Sequence, residues 1–296
     1  MTLFETILIA IVEGLTEFLP VSSTGHMIIT QGLLQMESTP FLKAFTVIIQ
    51  FGAILSVVVL YWRRFFLPER KPGQSWWAAI WPFYLKLIVG VLPAVVVGFT
   101  LNDYIESNLE SVQMTAVMLV VGGVFMLFCD RLFNNEGRPA VRLTYGRALA
   151  IGFYQCIAAV LPGTSRSMAT IVGGMQQGLT RKAAAEFSFF LAVPTMFGAT
   201  LLETYKLVKH EGNLLTQGDN LMLLLVGCAV AFVVAILAIK FFIGYVTRYG
   251  FRAFGWYRII VGGLILLLPL FGYNLTLLGQ DAPAPVEAVA PTQSAQ

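Results

Sequence analysis

Residues 3–36 read LFETILIAIVEGLTEFLPVSSTGHMIITQGLLQM. The first arm, Leu3 to Leu19, is apolar but carries Glu5, Glu13 and Glu17, and it stops at Pro20. The second arm, Met27 to Met36, is too short to cross a bilayer. A spanning helix needs about 20 apolar residues, and runs of about 10–14 read as re-entrant. The stretch is therefore a re-entrant helical hairpin over 3–35 with its tip at Pro20–Gly25. Non-helical backbone at that depth is stable only where protein or a water-filled cavity surrounds it. A second stretch, LPGTSRSMAT at Leu161–Thr170, has the same build. Pro20 and Pro162, Ser23 and Ser165, and Phe45 and Phe187 are each 142 residues apart.

Composition sets the environment of these two tips. The chain is 57% hydrophobic and 12% charged, with a mean hydropathy of +0.77, against about 25% charged residues in soluble domains. A soluble globule could not cover that much apolar surface, so the chain reads as a polytopic membrane protein. The net charge of +3 does not indicate a nucleic-acid partner, because the basic residues gather in short loops between apolar runs. The first apolar stretch has neither a basic leader nor a small-residue cleavage site, so no cleaved signal peptide is expected. Cys129, Cys156 and Cys228 stand apart in apolar runs with no metal-binding spacing, and read as small packing residues.

Three spans follow the first hairpin, near 44–62, 83–101 and 115–133. The plan then repeats: a hairpin at 147–180 and spans near 186–205, 221–243 and 254–273. Val121-Gly122-Gly123 and Val261-Gly262-Gly263 mark the last span of each half. The fold class is thus an all-α polytopic membrane protein of two inverted repeats, 1–140 and 141–273. The Ala/Pro-rich tail at 274–296 is expected to be disordered. A hairpin returns to its own side and three spans are an odd number, so the halves must face opposite ways, as in many transporters. One set of loops holds Arg63, Arg64, Arg70, Lys71, Arg131, Arg138, Arg142, Arg147, Arg181, Lys182, Arg248, Arg252 and Arg258. The other holds Lys43, Lys206 and Lys209 with the acidic Asp103, Glu106 and Glu110. The positive-inside rule places the first set in the cytoplasm and both termini outside.

Ionisable groups at membrane depth cost about 2.5–3.5 kcal/mol each on insertion scales and usually mark a working site. Glu13 and Glu17 are four apart and share one helix face. Such a pair suits either a divalent cation or acid/base work. Glu5 fits a solvated helix face. Past Pro20, the run Val-Ser-Ser-Thr-Gly offers hydroxyls and free backbone N–H groups at a helix start, a natural anion cradle. His26 sits at that start and is expected to act as acid/base or nucleophile, whereas His210 reads as an exposed loop residue. In the second tip Arg166 is isolated among apolar residues. Its planar fork suits phosphate oxygens or the two acids of the opposite tip. Ser165, Ser167 and Thr170 add hydroxyls, although Ser167 could equally bond back to helix carbonyls. Gln155 falls at the offset of Glu13 and Ala159 at that of Glu17, so the halves have specialised, one for acids and one for the cation. His26 and Arg166 are expected on facing turns of one wet pocket.

At these residues the chain resembles the undecaprenyl-diphosphate phosphatase family, the bacitracin-resistance type of bacterial membrane enzyme. The resemblance is carried by Glu13-Gly-Leu-Thr-Glu17, by Pro20 to His26, by Pro162-Gly-Thr-Ser-Arg-Ser-Met-Ala-Thr170 and by the Glu186–Pro194 stretch. It implies hydrolysis of undecaprenyl diphosphate to the monophosphate and phosphate, recycling a cell-wall lipid carrier and conferring bacitracin tolerance. The implied enzyme sits in the inner membrane with its site open to the outer face. Catalysis then falls to Glu17, Ser23, His26 and Arg166. The diphosphate would be held by Ser22, Thr24, Gly163, Ser165, Arg166, Ser167 and Thr170. A divalent cation, Mg²⁺ or Ca²⁺, would sit at Glu13 and Glu17. A polyprenyl diphosphate lipid is the expected partner, with room for a homodimer. On this reading Ser23 attacks phosphorus with His26 as base, or an activated water attacks directly. Architecture alone leaves a second class open, an inverted-repeat transporter or polyprenyl-phosphate flippase.

Overall fold

The computed structural model describes residues 1–108, 111–139, 141–210, 212, 214 and 217–271, and its described elements are all helices. The tail 274–296 with the C-terminus, residues 272–273 of the last expected span, Glu110, and the side chains of Glu106 and His210 lie outside the described residues.

The first hairpin is α1 (Leu3–Thr16) and α2 (Ser23–Leu33). It is followed by α3 (Pro40–Leu60), a short α4 (Trp62–Phe66), α5 (Trp76–Thr100), a short α6 (Asn102–Asn108) and α7 (Val112–Leu132). The second hairpin is α8 (Tyr145–Val160) and α9 (Arg166–Gln176). Then come α10 (Arg181–His210), α11 (Asn220–Tyr249) and α12 (Arg252–Leu267), which continues into a 3-10 turn at Leu268–Phe271. Among the described residues six helices, α3, α5, α7, α10, α11 and α12 with its turn, are long and apolar enough to cross a membrane. The hairpin arms are not. The 14 residues of α1 reach about 21 Å at 1.5 Å per residue, short of the ~30 Å hydrocarbon core.

Several spans outrun the apolar windows that betray them. α5 begins at Trp76 and α11 continues to Tyr249. Aromatic residues at both places, Trp76, Trp77, Tyr245 and Tyr249, suit the interface beyond the hydrocarbon. Glu5 closes a capping box with Thr2 at the start of α1, which accounts for it without a role in any site.

Close approach between helices rests on small residues, because lipid supplies no hydrophobic drive for helices to associate. α7 packs along α12. A Cβ on Gly123 would lie 2.7 Å from the Gly255 carbonyl oxygen, and one on Gly262 would lie 2.7 Å from that of Ala116. The two Gly-Gly runs thus serve the contact of α7 with α12. α1 packs on α11, α11 on α3, α5 on α8, and α10 on both α3 and α9.

The hairpins open toward opposite ends of α11. Met36, at the open end of the first, joins a buried cluster with Phe41 and with Leu223 and Leu224 near the start of α11. At the other end, Asp130 of α7 pairs with Arg181 at 2.7 Å and accepts from the Phe251 N–H just past α11 at 2.8 Å. Nearby, Asn135 donates to the Met175 and Leu179 carbonyls at the open end of the second hairpin. The tips therefore meet in the middle.

Most of the cations expected in loops lie on helices instead, and one of them is buried. Arg258 lies in the second turn of α12 and is fully buried at the two tips. An arginine next to Trp256 and Tyr257 reads as the end of a span, yet here it points inward.

Candidate active site

Each tip is a helix, a proline break and a second helix entered through a serine in the left-handed region. Ser22 (φ 74) caps α2 by accepting from the Gly25 N–H, and Ser165 (φ 76) caps α9 by accepting from the Met168 N–H. The structural equivalents are thus Ser22 and Ser165, one residue out of step with the 142-residue offset that aligns the prolines. The second tip holds one extra residue between proline and cap, and its Gly163 explains how it fits. Gly163 has φ +87, and a Cβ there would lie 2.4 Å from the Thr115 carbonyl oxygen, so only glycine is tolerated.

This register puts Ser23 and Arg166 in the same place, at the first turn of α2 and α9. Both turn to one acid. Ser23 Oγ donates to Glu17 Oε2 at 2.5 Å, and Arg166 Nη2 donates to Glu17 Oε1 at 3.0 Å. Arg166 Nη1 donates to the Ser188 carbonyl at 3.1 Å, while the buried Nε has no partner among the described residues. A hydroxyl and a carboxylate of the first hairpin and a guanidinium of the second thus form one chain of charge-assisted hydrogen bonds. Phe18, fully buried, meets Phe189 edge-on at 5.2 Å beneath them.

A pocket of about 150 Å³ opens on this chain. It is lined by the expected residues Glu17, Ser22, Ser23, Thr24, Gly163, Ser165 and Arg166, together with Pro162, Ala158, Ala159, Gln50, Ile105 and Met196. Four expected site residues are not in its lining. Ser167 is spent across the tips, donating to the Leu19 carbonyl at 2.7 Å, and it also contacts Ser165 Oγ at 3.0 Å. Thr170 bonds back to the Arg166 carbonyl at 2.9 Å and meets Ser188 Oγ at 2.6 Å. Both support the second tip from behind. Glu13 is fully buried one turn below Glu17, and neither carboxyl oxygen has a hydrogen-bond partner among the described residues.

His26 also departs from expectation. Its Nδ1 lies 2.8 Å from the Ser22 carbonyl oxygen and its Nε2 lies 2.7 Å from the Tyr257 hydroxyl. Ser23 is bonded to Glu17 instead, so in this arrangement the group placed to take the Ser23 proton is the carboxylate. The facing pair across the pocket is Ser23–Glu17 with Arg166, and His26 stands behind the first tip.

Behind both tips lies Arg258. Its Nη1 donates to the Pro20 carbonyl at 3.1 Å and Nη2 to the Gly163 carbonyl at 2.9 Å and the Met118 carbonyl at 3.0 Å. Nε donates to the Leu119 carbonyl at 3.3 Å. Gly122 makes the room, since a Cβ there would meet the guanidinium at 2.5 Å. One cation thus gathers the Pro20 and Gly163 carbonyls at the two helix breaks and ties them to the middle of α7.

Residues 6–264 match the family model described as bacitracin resistance protein BacA. The chain belongs to the BacA family. Among curated relatives, the undecaprenyl-diphosphatase of Porphyromonas gingivalis is 57% identical over 283 residues, covering 94% of this chain and all of the relative. That of Bdellovibrio bacteriovorus is 50% identical over 281 residues with the same coverage of this chain. The undecaprenyl-diphosphatase of Desulfitobacterium hafniense is 44% identical over 270 residues, 90% of this chain and 95% of the relative. BacA membership thus extends across both hairpins and the spans between them. Gln50, Ser188, Tyr257 and Arg258 are the site residues that sequence reading missed in this BacA chain. Only Gln50 carried a usable signal, as a polar residue within the apolar run of α3.

Proposed function

We propose that this chain hydrolyses undecaprenyl diphosphate to undecaprenyl phosphate and inorganic phosphate, recycling a lipid carrier for cell-wall synthesis and so conferring bacitracin tolerance. The observation that carries the reading is the Ser23–Glu17–Arg166 chain at the wall of a pocket between two helix starts. A hydroxyl against a carboxylate supplies an activated nucleophile. An arginine and unpaired helix N–H groups supply the charge that a phosphoryl transition state needs. The names of the relatives agree with that chemistry.

The polyprenyl tail lies between spans and the diphosphate enters the pocket. Ser23 Oγ attacks the terminal phosphorus while its proton passes to Glu17. The bridging P–O bond breaks, and undecaprenyl phosphate leaves with the proton that Glu17 returns. Water then attacks the phosphoserine with Glu17 again as base, the Oγ–P bond breaks, and phosphate departs as Ser23 is reprotonated. Arg166 keeps Glu17 aligned and, from the pocket wall, supplies positive charge to the substrate phosphate.

The donors at hand fit a hard divalent cation. Glu13 offers two buried oxygens without a hydrogen-bond partner among the described residues, and Glu17 is one turn away. Among the described residues no three His, Cys, Asp or Glu side chains gather as a metal site, so Mg²⁺ or Ca²⁺ at Glu13 and Glu17 would share substrate oxygens and water. When bound it would neutralise phosphate charge.

The inverted arrangement, with the N-terminus outside and the pocket open to the outer face of the inner membrane, is supported by the loop charges and by the opposed hairpins. Phosphate release from the purified protein in detergent, with C15 and C55 polyprenyl diphosphates, tests the function and separates it from transport, which detergent abolishes. Turnover lost in chelator and restored by Mg²⁺ is expected. No release from either substrate would overturn the proposal.

A further inference from the structure

The two tips share a fold but not a means of support. Both capping serines have a left-handed backbone, a conformation that residues with a side chain adopt only when their surroundings hold it. In the second tip the Ser165 carbonyl accepts from the Ala169 N–H. In the first tip the Ser22 carbonyl accepts from the His26 N–H at 3.2 Å and lies a further 2.8 Å from His26 Nδ1. Ala169 occupies the place of His26, so only the tip bearing Ser23 has this second, side-chain clamp.

The partners of the ring fix its proton. A carbonyl oxygen can only accept, so Nδ1 must carry hydrogen. Neutral His26 then has a bare Nε2, and the Tyr257 hydroxyl at 2.7 Å donates to it. The rings lie nearly parallel, 8° apart with centroids at 5.6 Å. Tyr257 precedes Arg258, whose guanidinium holds the Pro20 carbonyl two residues before Ser22. One helix turn of α12 thus grips the first tip on both sides of its strained residue.

We propose that Tyr257 is a positioning residue for the phosphatase reaction, acting through His26 to hold the Ser22 turn that presents Ser23 to Glu17. The proposal deepens the function given above and rests on it for the reaction concerned. On this view His26 is not the base, because its basic nitrogen is occupied by Tyr257 and its other nitrogen is a backbone clamp.

Imidazole 15N spectra of the intact protein in detergent test the geometry without any assay. The chain has only two histidines, His26 and His210, and H210Q assigns them. Wild-type His26 should show its proton on Nδ1, and in Tyr257→Phe the Nε2 signal should move. A His26 protonated on Nε2 alone, or a spectrum indifferent to Tyr257→Phe, overturns the proposal. Activity supplies the second readout. Tyr257→Phe should lower kcat roughly 3- to 10-fold, the scale of one hydrogen bond, with KM nearly unchanged, as expected when alignment rather than binding is lost. An unchanged kcat overturns it. His26→Asn places an amide N–H close to where Nδ1 stood, and should retain at least about tenfold more turnover than His26→Ala. Equal loss in both would return His26 to the role of base. If the wild-type protein releases no phosphate, the phosphatase reading fails, while the spectra still decide whether the clamp exists.

Discussion

Glu17 holds two partners at once, and that double duty makes single substitutions informative. Ser23→Ala removes the proposed nucleophile and leaves the Glu17–Arg166 pair; turnover should fall by at least about 10³-fold, as loss of a nucleophile does elsewhere. Acid-quenched enzyme should yield phosphoserine in the wild type and none in this variant. Glu17→Gln keeps shape and one acceptor but cannot take a proton, and should cost roughly 10²–10⁴-fold in kcat. Arg258 differs in kind. Arg258→Ala leaves the Pro20 and Gly163 carbonyls of the two tips without this donor and should cost about 1–3 kcal/mol for each, read as a lowered midpoint of thermal unfolding in detergent. These residues were unequally legible. Glu13, Glu17 and Arg166 stand out because ionisable groups within apolar runs violate the membrane's own rule. Arg258 violates it too but lies near a span end, where arginine is ordinary, and its partner Pro20 is 238 residues away.

At the scale of elements, the two hairpins were plain from their lengths and their prolines, yet their register was not. A fixed offset pairs Ser23 with Ser165, whereas the backbone pairs Ser22 with Ser165 and Ser23 with Arg166. One inserted residue in a loop leaves no trace in periodicity. Its cost is borne by Gly163, where conformation and crowding coincide. Gly163→Ala should therefore destabilise the second tip by more than the ~1–2 kcal/mol that a left-handed alanine costs on its own. Gly73→Ala is the matched control, with φ +76 and open space around it. Unfolding midpoints of the two variants, compared side by side, check the expectation. The Gly-Gly runs tell a similar story: their repetition was visible, but their use as facing contacts of α7 and α12 depends on how those two helices dock.

At the scale of the whole molecule, the described structure joins the loops around Asp130, Arg181 and Phe251 at one end and the cluster around Met36 and Leu223 at the other. If the charged loops are cytoplasmic, a membrane-impermeant thiol reagent should label Glu37→Cys in intact cells and Ser75→Cys only after the membrane is opened, each in a background lacking the native cysteines. The reverse pattern would turn the molecule over. Because Tyr257 and Arg258 ride on the last described helix, a growing chain has no finished centre until that helix has entered the bilayer. Premature release of the polypeptide anywhere before α12 would leave an inert fragment, with no half-built hydrolase loose among the carrier lipids.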